Sequence, residues 1–349
     1  MTAVAFAVPG DLATPTGGYA YDRRMIAELQ KLGWQVDIVH LGDGFPRPSA
    51  ETKAAARAKL AAVAEGKPII IDGLAFGVLP EAAEALRERN PLLALVHHPL
   101  ALETGLAATD AESLRNSERD ALAAARGIVA TSPSTAQLLT DDYDVPPEIV
   151  TVACPGTDRG EIAKGSSDGI VRLVSVGSIV PRKGFEVLIE ALAPLKGLPW
   201  RLAIAGDRTR DEKATAQLDE AILNHRLADQ VELLGVLPAD RIAALYAGAD
   251  LFVLASRFEG YGMAFAEALA HGLPIVGTTA GAIPDTVPPD AGVLIEPNDV
   301  KALTRTLRML IENDKERKWF AAGALAAGQA LPSWEESAAL MAGAIEALT

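Results

Sequence analysis

The chain has a single cysteine, Cys154, among its 349 residues. One thiol excludes an intrachain disulfide and removes the cysteine ligand set of structural zinc sites. No apolar run reaches the ~18–20 residues needed to span a bilayer as a helix. The opening stretch Met1-Thr-Ala-Val-Ala-Phe-Ala-Val-Pro9 has no basic residues ahead of its apolar part, so it reads as a first strand and not a secretory leader. A basic excess is missing too: 46 acidic residues face 32 basic ones, a formal net charge of −14. That balance argues against a duplex nucleic-acid partner and weakens docking on anionic lipid by charge alone. The patterns H-E-x-x-H and G-x-x-x-x-G-K-[ST] are absent, and no G-x-G-x-x-G follows the first strand. No D-x-D stands directly after an early strand, so metal-held nucleotide-sugar binding has no foothold; Asp141-Asp142, which runs into Asp142-Tyr-Asp144, reads as a helix end. Cys154 has no histidine nearby in sequence and is expected to be buried and inert. The expectation is a cytoplasmic protein.

What is present is regular. Hydrophobic residues make up 49% and charged residues 22%, a globular composition that excludes wholesale disorder. At roughly 150 residues per domain, the length suggests two domains. Short apolar runs predict strands at 3–8, 35–41, 68–72, 92–97, 127–131 and 149–153, then at 171–176, 200–205, 230–234, 251–254, 274–277 and 292–295. Helical spacing fills the gaps at 19–32, 50–64, 79–88, 111–125, 185–194, 241–247, 264–271 and 300–313. Runs such as Lys67-Pro-Ile-Ile-Ile-Asp72 are apolar on both faces, as in a parallel sheet covered by helices. Between the two series, residues 155–169 are rich in Gly, Ser and Asp with little to bury, and mark the junction. The last ~30 residues read as two helices broken near Leu331-Pro332-Ser333, with Ser333 and Glu336 spaced for a capping box. The fold class is therefore α/β: two Rossmann-like doubly wound domains and a C-terminal helical tail. In open α/β sheets ligands bind outside the carboxyl ends of the strands, so two such sheets facing a cleft suit a two-part substrate.

Four segments carry candidate chemistry. Gly17 and Gly18, between the first strand and first helix, let backbone approach an anion; an ordinary β–α turn accounts for them equally. Arg182 and Lys183 follow the strand that ends at Gly177 and suit a diphosphate, or are two solvated loop cations. In Ser256-Arg-Phe-Glu-Gly-Tyr-Gly-Met-Ala-Phe-Ala-Glu267, Gly260 and Gly262 bare backbone N–H groups before a helix. Glu259 is placed at an exposed loop tip to touch a neutral sugar, and Glu267 to accept from a ribose diol. Gly272 is a helix stop. In Leu95-Val-His-His-Pro-Leu100, His97 or His98 serves as a hydroxyl partner or acid/base; adjacent strand residues face opposite ways, so one of them faces the cleft.

Taken in order, these pieces resemble the retaining GT-B glycosyltransferases of family 4, the glycosyl transferases group 1. The likeness runs along the whole chain and is densest from Val171 to Pro297: Val-Gly-Ser-Ile-Val-Pro-Arg-Lys-Gly, then Ala205-Gly-Asp207, the Glu259-to-Glu267 element, Gly272-Leu-Pro-Ile-Val276, Gly281-Ala-Ile-Pro-Asp285 and Gly292-Val-Leu-Ile-Glu-Pro-Asn-Asp299. The resemblance implies an N-terminal acceptor domain (1–155), a C-terminal sugar-nucleotide donor domain (156–330) and a helix (331–349) crossing back to the first domain. It implies a nucleotide-sugar donor, a UDP-sugar first, and a hydroxyl acceptor such as diacylglycerol, a saccharide or a polyol. Lys183 then contacts the diphosphate, Glu259 the transferred sugar, Glu267 the ribose, and the backbone of Gly260, Tyr261, Gly262 and Met263 the phosphate or sugar. Gly17 and Gly18 face the diphosphate, and His97 or His98 takes the place of the family's cleft histidine. Many members carry Gly-Arg where this chain has Gly177-Ser178, which hands that charge to Arg182.

Transfer releases a nucleoside diphosphate anion from an oxocarbenium-like sugar. Lys183, Arg182 and helix N-termini can carry that charge without a metal, so neither metal nor cofactor is expected. For a lipid acceptor, residues 50–64 offer a basic, Ala-rich helix for peripheral membrane contact, or a plain surface helix. A sugar-nucleotide epimerase on the same fold and a non-catalytic sugar-nucleotide binder are the alternatives.

Overall fold

A computed structural model describes residues 2–103 and 105–348. The chain divides into two compact units: one runs up to Gly156 and resumes at Pro332, the other is Thr157–Leu331. The first unit contains strands β1 (Ala3–Pro9), β2 (Gln35–Gly42), β3 (Ile69–Asp72), β4 (Leu92–Val96), β5 (Gly127–Ala130) and β6 (Val150–Val152). The second contains β7 (Val171–Val176), β8 (Trp200–Ala205), β9 (Val231–Gly235), β10 (Leu251–Val253), β11 (Ile275–Thr278) and β12 (Gly292–Ile295). All twelve lie where the apolar runs predict them. Pairing is parallel throughout, for example Ile70 opposite Leu93 and Phe252 opposite Val174.

The first sheet runs β2-β1-β3-β4-β5-β6 and the second β12-β11-β10-β7-β8-β9. Both orders reverse direction once, between β1 and β3 in the first sheet and between β7 and β10 in the second. At such a point the connections leave toward opposite faces of the sheet, and a crevice opens at the carboxyl ends of the two strands. Everything chemical below sits at one of these two places.

Central strands are buried on both faces; β3 and β4 expose almost nothing. Continuous burial explains why Ile and Val fill them without the alternation of a half-exposed sheet. Helices Pro133–Asp142 and Glu212–Asn224 add to the predicted set. Each had a legible start: Ser132 accepts from Thr135 N, and Asp211 from Ala214 N. Asp141 and Asp142 do end a helix.

Three expectations change. Residues 155–169 carry no regular element, yet Pro155, Gly156 and Thr157 are buried. A Cβ on Gly156 would run into the backbone of Trp334, so the start of the segment is packed, while residues 158–169 are mostly exposed and the boundary between the units falls at Gly156/Thr157. Cys154 is half-buried, not buried. The basic helix Ala50–Ala61 spends its apolar side, Ala56 and Leu60, on the core of the first unit. Its outer face shows Lys53, Arg57 and alanines, so it has no large apolar side chain to insert into a membrane. No described helix is long and apolar enough to cross one.

The last helix, Trp334–Glu346, belongs to the first unit. It packs against the helix Gly17–Lys31: the Trp334 ring lies 6.0 Å from Tyr21 and under the Arg24 guanidinium at 5.0 Å. Ser337 donates to the Cys154 carbonyl at 2.6 Å. Its entry is the predicted capping box, with Ser333 Oγ accepting from Glu336 N at 3.2 Å and Ser333 N donating to Glu336 Oε2 at 2.8 Å. Ser333→Ala is expected to lower the unfolding free energy by about 1 kcal/mol, with Glu336→Ala adding little on top because both belong to one box. Urea denaturation followed by circular dichroism reads both variants.

Candidate functional site

In the second unit β7 and β10 are neighbours, and the loop after each strand delivers its charged residues to the same place. Arg182 and Lys183 lie in the turn Pro181–Lys183. Glu259 follows β10 and is only 4% exposed, the reverse of the loop tip expected for it. Its Oε1 accepts from Lys183 Nζ at 2.7 Å and from Ser256 Oγ at 2.6 Å; its Oε2 accepts from an Arg182 guanidinium nitrogen at 3.0 Å. Arg182 also donates to the Phe258 carbonyl at 2.7 Å. The two cations are mostly buried, with side chains 19% (Arg182) and 14% (Lys183) exposed, so they are not a solvated pair.

The surroundings fix this geometry. Arg257 N donates to the Arg182 carbonyl at 2.7 Å, stitching the two loops together. Thr278 Oγ1 donates to the Ser256 carbonyl at 2.5 Å, and Ala282 N to the Glu259 carbonyl at 2.9 Å, so the end of β11 holds the Glu259 loop from the other side. Lys183 lies along the bare backbone of Gly177: a Cβ there would come 3.2 Å from Lys183 Cε. Gly184 sits at φ +62° with the Ala255 carbonyl where a Cβ would be, so only glycine fits. Burial alone would raise the Glu259 pKa, but Lys183 and Arg182 outweigh it and hold the carboxyl at about 2.

Gly262 adopts φ +90° and opens the helix Met263–Ala270 with no side-chain cap. The first N–H groups of that helix therefore carry its positive end without a capping side chain. Gly260 is half-buried, and the Tyr261 carbonyl accepts from Thr286 Oγ1 at 3.2 Å. Glu267, on the second turn, accepts from Tyr246 Oη at 3.0 Å, and burial raises its pKa. Tyr246 in turn stacks on His271 with ring centroids 5.3 Å apart. Gly272 ends the helix at φ +71°, as expected.

The first unit places its candidates at the β1/β3 reversal. Gly17 and Gly18 begin the helix Gly17–Lys31, whose N-cap is Thr16: its Oγ1 accepts from Tyr19 N at 3.4 Å and takes up one of the N–H groups. Gly18 lies against His97, where a Cβ would come 3.5 Å from the imidazole Cδ2. His97 and His98 part company, as adjacent residues should. His97 Nε2 stands 3.3 Å from both Asp22 Oδ1 and Asp72 Oδ2, whereas His98 Nε2 meets Glu103 Oε2 at 3.3 Å. Burial works against a charged His97, but Asp22 and Asp72 overcome it and lift its pKa to about 10. Burial first, then the charge of Asp72, pushes Asp22 up to about 7.

Sequence reasoning gave no role to Ser256, Tyr246, Asp22 or Asp72. Asp22 had a signal. It occupies the buried stripe Tyr21, Asp22, Met25, Ile26, Leu29 of its helix, where a carboxylate needs a reason. Asp72 likewise ends an all-isoleucine strand, and its Oδ1 caps the next turn by accepting from Leu74 N at 2.8 Å.

Glu259→Gln leaves two mostly buried cations without their carboxylate, so it is expected to cost roughly 3 kcal/mol in urea denaturation at pH 7. Because the folded pKa of Glu259 lies below its ordinary value of 4.5, its contribution is complete above that value and disappears as pH falls through about 2. The stability gap between wild type and Glu259→Gln should therefore narrow over that acid window.

Residues 162–325 match the family model described as glycosyl transferases group 1. The MMP alpha-(1->4)-mannosyltransferase of Mycolicibacterium hassiacum is 28% identical over 295 residues, 78% of this chain and 68% of that protein. The match spans less of seven further curated relatives, from 32% to 57% of their lengths. Among solved structures, sucrose-phosphate synthase from Thermosynechococcus elongatus superposes with a TM-score of 0.82 at 20% identity, covering 100% of this chain and 99% of that one. Anabaena Alr3699/HepE, solved in complex with UDP-glucose, gives 0.79 at 19% identity, with 99% of each chain covered. The paired parallel sheets are thus the GT-B architecture, and residues 162–325 carry the match to the glycosyl transferases group 1 family.

Proposed function

We propose that the protein transfers a sugar, with retention of configuration, from a nucleoside diphosphate sugar to a hydroxyl acceptor. The observation that carries this reading is the buried Lys183–Glu259–Arg182 cluster at the β7/β10 reversal, beside the uncapped start of the helix Met263–Ala270. Two cations around one carboxylate leave a net positive charge, already ordered, beside backbone N–H groups suited to a diphosphate. The relatives named as mannosyltransferases and the neighbour solved with UDP-glucose support a hexose donor, and a UDP-sugar is the first to try.

In this reading Lys183 and Arg182 bind the diphosphate and carry the negative charge that grows as the glycosidic C–O bond lengthens. The backbone from Gly260 to Met263 completes the anion site. Glu259 steers both cations and touches the transferred sugar; it is not assigned as a covalent nucleophile. Glu267, oriented by Tyr246, takes the ribose hydroxyls. The acceptor belongs to the first unit, with either His97 or His98 lining its site and the leaving phosphate accepting the acceptor proton, while Gly17 and Gly18 are donor-binding and offer their backbone to the diphosphate. Because the cations meet the leaving group, no added magnesium is needed there. An acceptor of lipid type would meet the protein through Lys53 and Arg57 by charge.

The test is nucleoside diphosphate release from a panel of sugar nucleotides, with and without acceptor extracts. Transfer requires acceptor-dependent release that is unchanged by added magnesium. Formation of a new sugar nucleotide would mean an epimerase, and binding with neither outcome a sugar-nucleotide-binding protein. Lys183→Ala should weaken donor binding about 10- to 100-fold, the loss of one charge-assisted contact. The anomeric coupling constant in the proton NMR spectrum of the product reads retention directly.

A further inference from the structure

The first unit buries more negative charge than its neighbours answer. Asp22 is 0% exposed and Asp72 1%, and neither oxygen of Asp22 receives a hydrogen bond from any described residue. Asp72 commits Oδ1 to the Leu74 backbone and leaves Oδ2 free to face His97. Even with His97 protonated, two carboxylates around one imidazolium leave an excess negative charge in a buried place, a cost that protein interiors rarely leave unanswered.

The distances say what would answer it. His97 Nε2 is 3.3 Å from one oxygen of each aspartate, and the three ligand atoms all lie within 4.8 Å of one another. Charge-assisted hydrogen bonds from nitrogen to carboxylate run at about 2.7–2.9 Å, and one N–H shared between two acceptors at 3.3 Å serves each of them poorly. A separation of 3.3 Å matches instead the edge of a tetrahedron with bonds of about 2.0 Å, the bond lengths of zinc with imidazole and carboxylate. An octahedral magnesium site would bring ligands to about 3.0 Å. The donor set, one imidazole and two carboxylates with a fourth position open, is that of zinc-class ions in reactive sites.

Each ligand has a fixed seat. Asp22 comes from the first turns of the helix Gly17–Lys31, Asp72 from the end of β3, and His97 from the residue after β4. Gly18 lies beside the imidazole, where a Cβ would stand in ordinary contact at 3.6 Å from Nε2. The Tyr21 ring meets the imidazole edge-on at 5.3 Å and fixes its plane. No local spacing encodes these residues, so the absence of a zinc motif in the sequence does not bear on them.

We infer that Asp22, Asp72 and His97 form a tetrahedral zinc-class cation site in the first unit, its fourth position taken by water or a substrate hydroxyl. The cluster shares His97 with the acceptor site proposed above, but the cation assignment does not rest on that reading, and its test uses metal alone. The full chain is stripped with a chelator, then titrated with zinc, followed by metal analysis and thermal unfolding. One equivalent bound per chain and a rise in Tm are expected. Cobalt in place of zinc should give the intense visible absorption of a tetrahedral centre. Asp22→Asn removes a buried charge that lacks a hydrogen-bond donor, so it should fold with a Tm at or above that of the stripped wild type. Its affinity for zinc should fall at least about 10-fold. Binding of less than one equivalent with no Tm shift would overturn the assignment, leaving an imidazolium held between two carboxyls. So would a zinc response that survives unchanged in Asp22→Asn, or a cobalt spectrum of octahedral type.

Discussion

One buried carboxylate organises the candidate donor site. Taking Glu259 out of water costs several kcal/mol unless charge and hydrogen bonds make up for it, and here three groups do so: Lys183, Arg182 and Ser256. Because those partners come from loops some 75 residues apart, meeting the need of Glu259 also fixes the loop after β7 against the loop after β10. The two cations are thereby ordered before any ligand arrives. Preordered charge is the kind that favours a developing anion, since it does not reorganise as the reaction proceeds. Loss of the carboxylate therefore disturbs folding and site together.

The two units place clusters of opposite sign at equivalent points of their sheets. The β7/β10 reversal has two cations around one carboxylate, and the β1/β3 reversal two carboxylates around one imidazole. The common cause is geometric. Where neighbouring strands send their chains to opposite faces, the carboxyl ends are left uncovered, and polar groups can gather there without breaking the sheet. The sign of each cluster agrees with the ligand proposed for it: an anionic diphosphate in the second unit, a cation in the first. A chain with net charge −14 can still present an anion site because the local balance, not the total, sets the field within a few ångströms.

Supporting contacts at the first reversal come from the end of the chain. Tyr21 donates to the Ala153 carbonyl at 2.9 Å while its ring touches both His97 and Trp334. The helix Trp334–Glu346 thus reaches within one side chain of the Asp22–Asp72–His97 cluster, and Gly156 lets it come that close. A segment that looks like a tail in the sequence is part of the wall behind the site.

The sequence by itself determined the architecture. Doubly apolar runs alternating with helical spacing can satisfy their backbone and bury both faces only as covered parallel sheets, and all twelve strands lie where those runs placed them. It also marked Lys183, Arg182, Glu259 and Glu267, because loops that leave a buried strand beside glycines leave few other positions for charge. It misjudged the surroundings of Glu259, and it gave no role to Ser256, Tyr246, Asp22 and Asp72. Burial and partners depend on which strand ends become neighbours, and sheet order is not written in any local spacing. Only the tertiary structure brought residue 259 to residues 182 and 183, and residue 97 to residues 22 and 72, turning separate loop charges into two interacting clusters.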